Sequence, residues 1–282
     1  MDRVPEKCNS KYSLKQVLHR SVIYDNYSSQ EGKGTELARN RLKCMLERHI
    51  RRFGMTGGII IYDFHGYFDS IQHDIIKGIM QKNYKDPDII GINMKIVSKN
   101  RDRIGLVLGS ENSQDFAIAV PNTIDHYIKE TMRADEYGRY NDDGWIIHHD
   151  FDRLEEIYQK MKELAAGLGL ELNEKKCRIL RFGKPFTMLK RKYSFTDTGA
   201  ILQRPVRESV IRERRKLKRL YHRTCEGTVK PDTGYRSVEA WKASLKGCKC
   251  FKIRKSIENL YNDLYIRRWL SGQEDELCII KS

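Results

Sequence analysis

Two short stretches of this 282-residue chain are apolar almost without interruption. Gly57-Gly58-Ile59-Ile60-Ile61-Tyr62-Asp63 is a β-branched run ending in an acid, the pattern of a buried strand that delivers a carboxylate to a sheet edge. Arg139-Tyr140-Asn141-Asp142-Asp143-Gly144-Trp145-Ile146-Ile147 sets two adjacent acids, with Gly144 behind them, before a second such run. That order predicts a tight turn feeding a buried strand. Elsewhere the apolar positions recur at helical spacing. Thr35 to Phe53 reads as a helix with Thr35 as N-cap, Leu37, Leu42, Met45, Leu46 and Ile50 on one side and Arg39, Arg41, Arg48 and Arg52 on the other. Gln72 to Met80 is helix-like, and Pro87 to Ile92 starts a short helix or strand. An apolar helix is expected from Phe116 to Met132, capped by Ser113 or Asn112 with Gln114 in its first turn, and an amphipathic one from Asp152 to Leu168.

Beyond about Phe186 the composition shifts. Lys190-Arg191-Lys192 and the run Arg212 to Arg219 are strongly basic, while Trp241, Leu245, Phe251, Ile253, Ile257, Leu260, Tyr261 and Leu264 recur at helical spacing. A small helical bundle with basic faces is expected there. His148 and His149 end the second apolar strand; adjacent strand residues point to opposite faces, so a shared metal is not expected of them, and they read as surface residues.

Charge then narrows the partners. With 53 basic and 38 acidic residues the formal net charge is +15, and the sequence pI is about 9.4. Such a surplus suits a polyanion, above all nucleic acid, whose binding is driven largely by displaced counterions. No apolar run is long enough to span a membrane and the polar start Met1-Asp2-Arg3 is not a signal peptide, so a cytoplasmic protein without a membrane partner is expected. Seven scattered cysteines argue for reduced thiols, and His222, Cys225, Cys248 and Cys250 fit no common zinc spacing.

The acids supply the chemistry. A sheet carrying Asp63 on one strand and Asp142-Asp143 at the turn of another gathers three carboxylates, which need a counter-charge such as a divalent cation. Two cations about 4 Å apart at such a site activate a hydroxyl and stabilise a leaving pyrophosphate. Gly32-Lys33-Gly34-Thr35 adds a glycine-flanked lysine able to meet a triphosphate, although the same tripeptide is common in plain loops.

Together these residues resemble the reverse transcriptase family. Asp63, Phe68 and Asp69 look like its first catalytic motif; Tyr140-Asn141-Asp142-Asp143 looks like its Tyr-x-Asp-Asp box; Leu172-Asn173-Glu174-Lys175-Lys176 looks like the Leu-Asn-x-x-Lys segment that follows. The resemblance runs from about Val22 to about Phe182, and more faintly beyond. Leu108-Gly109-Ser110-Glu111-Asn112-Ser113-Gln114 is similar to the Ile/Val/Leu-Gly-x-x-x-Ser-Gln pattern of diversity-generating retroelements rather than to the commoner Gln-Gly-x-x-x-Ser-Pro.

The resemblance implies an α+β fold: a right-hand polymerase palm with an antiparallel sheet and packed helices over 56–186, a helical thumb over 187–282, and residual fingers with a connecting helix over 1–55. It implies RNA-directed DNA synthesis with Asp63, Asp142 and Asp143 as catalytic residues and ligands of Mg²⁺ or Mn²⁺. Lys33, Phe64, Phe68, Gln114 and Lys176 would bind the deoxynucleoside triphosphate, with the Phe68 ring crowding a 2′-hydroxyl. Tyr140 and the basic residues Arg212, Arg214, Arg215, Lys216, Lys218 and Arg219 would hold an RNA template and a DNA or RNA primer. Such enzymes generally carry about a hundred more residues before the Gly-Lys-Gly-Thr segment, so a missing fingers piece, an accessory protein or a structured RNA is expected as a partner. The alternatives are a retron, group II intron or phage-defence enzyme, a non-catalytic nucleic-acid-binding remnant, and a two-metal nuclease.

Overall fold

The computed structural model describes residues 3–99 and 103–267. The chain divides into two compact units, Met1–Lys184 and Pro185–Ser282.

The first unit is built on a four-stranded antiparallel sheet, β1 (Gly58–Asp63), β2 (Glu136–Tyr140), β3 (Asp143–His148) and β4 (Arg178–Arg181), in the order β2-β3-β1-β4. The isoleucine run of β1 is buried along its whole length because layers cover both faces of the sheet. On one, Ile60, Tyr62 and Ile146 join Leu154, Ile157 and Met161 of helix α9 (Phe151–Gly167) in the main core. On the other, Trp145 stacks on Tyr27 at 5.8 Å and donates its indole N–H to Met45 of helix α3 (Thr35–Phe53). Short helices α1 (Arg3–Asn9) and α2 (Lys15–Leu18) pack against α7 (Glu111–Ala119). There Ser10 donates to the buried Asp115, and His19 lies 3.1 Å from the same carboxylate. The single turn α4 (Tyr67–Ser70) leads to α5 (His73–Asn83) and α6 (Pro87–Ser98), and α8 (Asn122–His126) precedes β2.

Several boundaries differ from the expected ones, each for a local reason. Helix α3 has Gly34 as its cap residue, and the Thr35 hydroxyl is spent on Tyr140 at 3.0 Å. The expected helix over 116–132 is broken at Pro121, whose ring nitrogen has no hydrogen to donate, into α7 and α8, and α8 runs on into a π-helical turn over Tyr127–Thr131. Its cap residue is Ser110; Asn112 and Ser113 are buried in the first turn and do not cap it.

The second unit holds a three-stranded antiparallel sheet, β5 (Phe186–Met188), β6 (Arg191–Phe195) and β7 (Ile201–Pro205), followed by α10 (Arg207–Cys225), α11 (Asp232–Ser244) and α12 (Phe251–Tyr261). Leu217, Val238, Trp241, Leu245 and Ile257 form its core. The purely helical bundle expected from residue 187 on is therefore corrected: its first 20 or so residues are strands. Their period-2 pattern is disguised because inward positions are polar, Arg191 donating to the carbonyl of Ser244 and Gln203 being buried. Phe251, expected in the helical core, is 81% exposed. Residues 268–282 of the expected thumb lie outside the described part. Cys8, Cys44, Cys177 and Cys250 are free thiols.

Candidate active site

The sheet register brings the three acids together. β1 and β3 run antiparallel with Asp63 opposite Asp143, and β2 and β3 are joined by the two-residue turn Asn141-Asp142. The left-handed residue of that turn is Asn141, at φ 53°, a conformation that asparagine tolerates better than most residues. Gly144 has a different task from the one its place after the acids suggests. It sits within β3, where a Cβ would lie 2.2 Å from the Tyr62 ring, so its lack of a side chain lets that ring pack under the turn.

Asp63 is 5% exposed and is held on several sides. Asn173 Nδ2 donates to Oδ1 at 3.2 Å, the Lys176 ammonium meets Oδ2 at 2.8 Å, and the backbone N–H of Asn173 donates to the Asp63 carbonyl at 2.8 Å. The Asp63 and Asp143 carboxyls share a hydrogen bond. Burial first, and then the neighbouring Asp142 and Asp63 charges, push the Asp143 carboxyl up to about 7. Burial, and then Asp63, also raises Asp142 above the usual carboxylate range. Three acids with Lys176 as their close counter-cation form a hard-oxygen donor set with surplus negative charge, and this fits a divalent cation. A cleft of about 640 Å³, bordered by His65, Lys162, Asn173 and Lys175, opens beside the Asp63–Asn173 contact.

Beneath the turn lies a residue that sequence reasoning passed over. Arg139 is fully buried, pairs with the equally buried Asp125 at 2.7 Å, and donates to the carbonyls of Ile118 at 2.9 Å and Asn141 at 3.0 Å. Tyr137 donates to Asp125 and is hydrogen-bonded in turn to Tyr62. The Arg139 guanidinium thus ties the carbonyl of the turn residue Asn141 to α7 and α8. An arginine inside the motif strand was the available signal, but a basic residue in a chain this basic attracts no notice.

The remaining expected site residues divide. Phe68 is half-buried against the core, edge-on to Tyr67 at 5.7 Å, one turn beyond Asp63. Phe64 is not available to a nucleotide: it is 2% exposed and packed between Tyr62 and Tyr67, because the position after Asp63 points its side chain into the core. Tyr140 is half-buried with its hydroxyl accepting from Thr35. Lys33 lies one strand away, since Asp25 to Tyr27 runs alongside β2 through Asn26 and Arg139. Its ammonium donates to the carbonyls of Tyr24 and Asn26 at 2.7 and 2.9 Å, and burial holds its pKa below the usual lysine value. Gln114 is exposed on α7 and accepts from the Ser29 hydroxyl at 2.7 Å. In the second unit Arg212, Arg214, Arg215, Lys216, Lys218 and Arg219 are all exposed along α10, which buries Glu213, Leu217 and Thr224.

Residues 8–216 match the family model described as reverse transcriptase (RNA-dependent DNA polymerase). No curated protein matches the chain. Among solved structures, apo telomerase from Candida tropicalis is similar with a TM-score of 0.54 at 14% identity, over 95% of this chain and 53% of that one. Telomerase from Candida albicans in complex with a fragment of telomeric RNA is similar with a TM-score of 0.53 at 11% identity, over 93% of this chain and 51% of that one. At such identities the likeness concerns the fold, and the chain spans about half the length of these structures.

Proposed function

We propose that this chain, which belongs to the reverse transcriptase (RNA-dependent DNA polymerase) family, extends a primer 3′-hydroxyl with deoxynucleotides on an RNA template. The observation that carries the reading is the meeting of Asp63, Asp142 and Asp143 at one end of the β1/β3 ladder, with Asn173 and Lys176 fixed on Asp63. Asp63, Asp142 and Asp143 would hold Mg²⁺ or Mn²⁺, and a pair of such ions would lower the pKa of the attacking hydroxyl and offset charge on the leaving pyrophosphate. Lys176, whose side chain is 62% exposed, balances Asp63 and has room to move its ammonium to the phosphates of a nucleotide. Phe68 would face the sugar and crowd a 2′-hydroxyl. The exposed basic face of α10 would meet the phosphates of template and primer, which are gripped without regard to sequence.

The finer reading is an enzyme of the diversity-generating retroelement type, supported by Leu108 to Gln114 and by the exposure of Gln114 near the start of α7. One experiment tests both levels: extension of a primed RNA template with Mg²⁺ or Mn²⁺, followed by sequencing of the products. Asp63→Asn and Asp142→Asn are expected to abolish synthesis while RNA binding persists; undiminished synthesis by either variant would refute the carboxylate assignment. Products of the unaltered chain are expected to carry errors chiefly opposite template adenine, at a rate that Gln114 substitutions change. Ordinary accuracy at adenine would remove the retroelement reading and leave the polymerase reading standing.

A further inference from the structure

The end of the sheet opposite the carboxylates carries a second cluster of ligand-type side chains. Asp63 faces Asp143 at one end of the β1/β3 ladder and Gly58 faces His148 at the other, five residues away, or roughly 17 Å at the rise of a strand. At that far end Asp135, His148 and His149 each offer one ligand atom, and these atoms all lie within 4.8 Å of one another. Alternation along a strand would have sent the two histidines to opposite faces. β3 ends at His148, however, and His149 lies in the bend beyond it, so its ring turns back onto that of His148, with centroids 4.5 Å apart. The two rings therefore meet on one side instead of pointing apart, and His148 is buried where a surface residue was expected.

We propose that Asp135, His148 and His149 form a binding site for a borderline transition-metal ion of the Zn²⁺ class, separate from the catalytic carboxylates. Three features support it. Two of the ligand side chains already meet, His149 Nδ1 lying 2.8 Å from Asp135 Oδ2, and the His148 ring is oriented by its Nδ1, which sits 3.0 Å from the Asp150 N–H and 3.1 Å from the Asp150 carbonyl. The backbone is pre-set, because Gly57 backs directly onto the His148-His149 peptide, where a Cβ would lie 2.0 Å from the His148 oxygen. The Phe53 ring stacks on His149 at 4.4 Å.

The third feature is His49, 2% exposed, which reaches the same patch through Phe53 at 5.2 Å and is close enough to Asp135, His148 and His149 to feel their charge. Its Nε2 meets the Thr56 carbonyl at 3.1 Å and so carries the hydrogen, while its Nδ1 is buried without a partner. Zn–N and Zn–O bonds of about 2.0–2.2 Å require ligand atoms closer than the present spread. The movement falls to His149, whose side chain is 46% exposed. Two imidazoles and one carboxylate favour Zn²⁺, Ni²⁺ or Cu²⁺ over Mg²⁺, which seeks oxygen and keeps its waters. The ion would clip the entry of β2 to the exit of β3, closing the hairpin at the end away from its catalytic turn.

The test is calorimetric titration of the full chain with Zn²⁺ in millimolar Mg²⁺, in an Asp63→Asn/Asp142→Asn background so that Zn²⁺ cannot report on the catalytic acids. Visible absorption of the Co²⁺-loaded protein gives a second readout. One equivalent is expected to bind, weakened at least tenfold by His149→Gln and by Asp135→Asn, with loss of the Co²⁺ bands in both variants. The His149 side chain is exposed and that of Asp135 is partly buried, and an unchanged circular dichroism spectrum verifies the fold of both variants. Equal Zn²⁺ affinity in parent and variants, or no saturable binding in the parent, would overturn the proposal and leave the polymerase assignment untouched.

Discussion

At the scale of single residues, the protonation of Asp143 has the most direct consequence. Its folded pKa of about 7 lies well above the value near 4 of an exposed carboxyl, so between those limits the folded chain binds a proton that the unfolded chain does not. Stability contributed by this group is therefore lost as pH rises from about 4 to about 7. Thermal melts of the metal-free protein are expected to fall across that window by an amount worth about 2 to 4 kcal/mol from this group. Asp143→Asn should flatten the slope; an identical slope in the variant would show that the carboxyl is not held protonated. Phe68 yields a second expectation. Replacing its half-buried ring by Ala removes the bulk assigned to the 2′ position, so ribonucleotide use relative to deoxynucleotide use should rise at least tenfold in single-nucleotide extension. An unmoved ratio would make Phe68 a core aromatic only.

At the scale of elements, the β2–β3 hairpin shows how a buried ion pair serves position more than stability. Arg139 and Asp125 are both fully buried, and removing either one alone strands a charge at a cost of about 3–5 kcal/mol. Replacing both together by apolar residues of similar size, Arg139→Met with Asp125→Leu, should recover much of that loss. Activity should not recover, because the Asn141 carbonyl has lost its donor and a turn misplaced by about 1 Å costs roughly 100-fold in rate. The measurement is kcat set beside Tm for the single and double variants. Activity returning in step with Tm would assign the pair a purely structural role.

The same scale explains the misread segment at the start of the second unit. β5 to β7 bury Arg191 and Gln203, so their inward positions do not stand out as apolar, and the strands read as basic loops. The basic run Arg212 to Arg219, which reads equally as helix or loop, lies in helix α10, where buried Glu213, Leu217 and Thr224 fall at helical spacing among exposed cations.

At the scale of the molecule, a +15 chain concentrates part of its charge on the exposed face of α10. Replacing Arg212, Arg215 and Arg219 by Gln should leave Tm unchanged, since all three are exposed. It should lower the slope of log K against log salt for RNA binding by about 2 to 3, each lost phosphate contact contributing roughly 0.7 to 0.9. A slope within error of the parent's would place the nucleic-acid contacts elsewhere.

What the sequence determined by itself was whatever depends on neighbours along the chain. The isoleucine run ending in Asp63, the Asn-Asp-Asp turn before Trp145 and the amphipathic α3 and α9 are local patterns of burial and period, and each survived folding nearly unchanged. The tertiary structure decided whatever depends on residues far apart. Register set Asp63 against Asp143, and Asn173 and Lys176 reached Asp63 across more than a hundred residues. Burial turned Phe64 away from the site and gave Arg139 its hold on the turn. At the far end of the same ladder, the bend after His148 folded His149 back beside it, against the alternation that a strand alone would impose. Hydrophobic period fixes which side chains leave the solvent, but which of them meet is settled only when the packed sheet fixes their register.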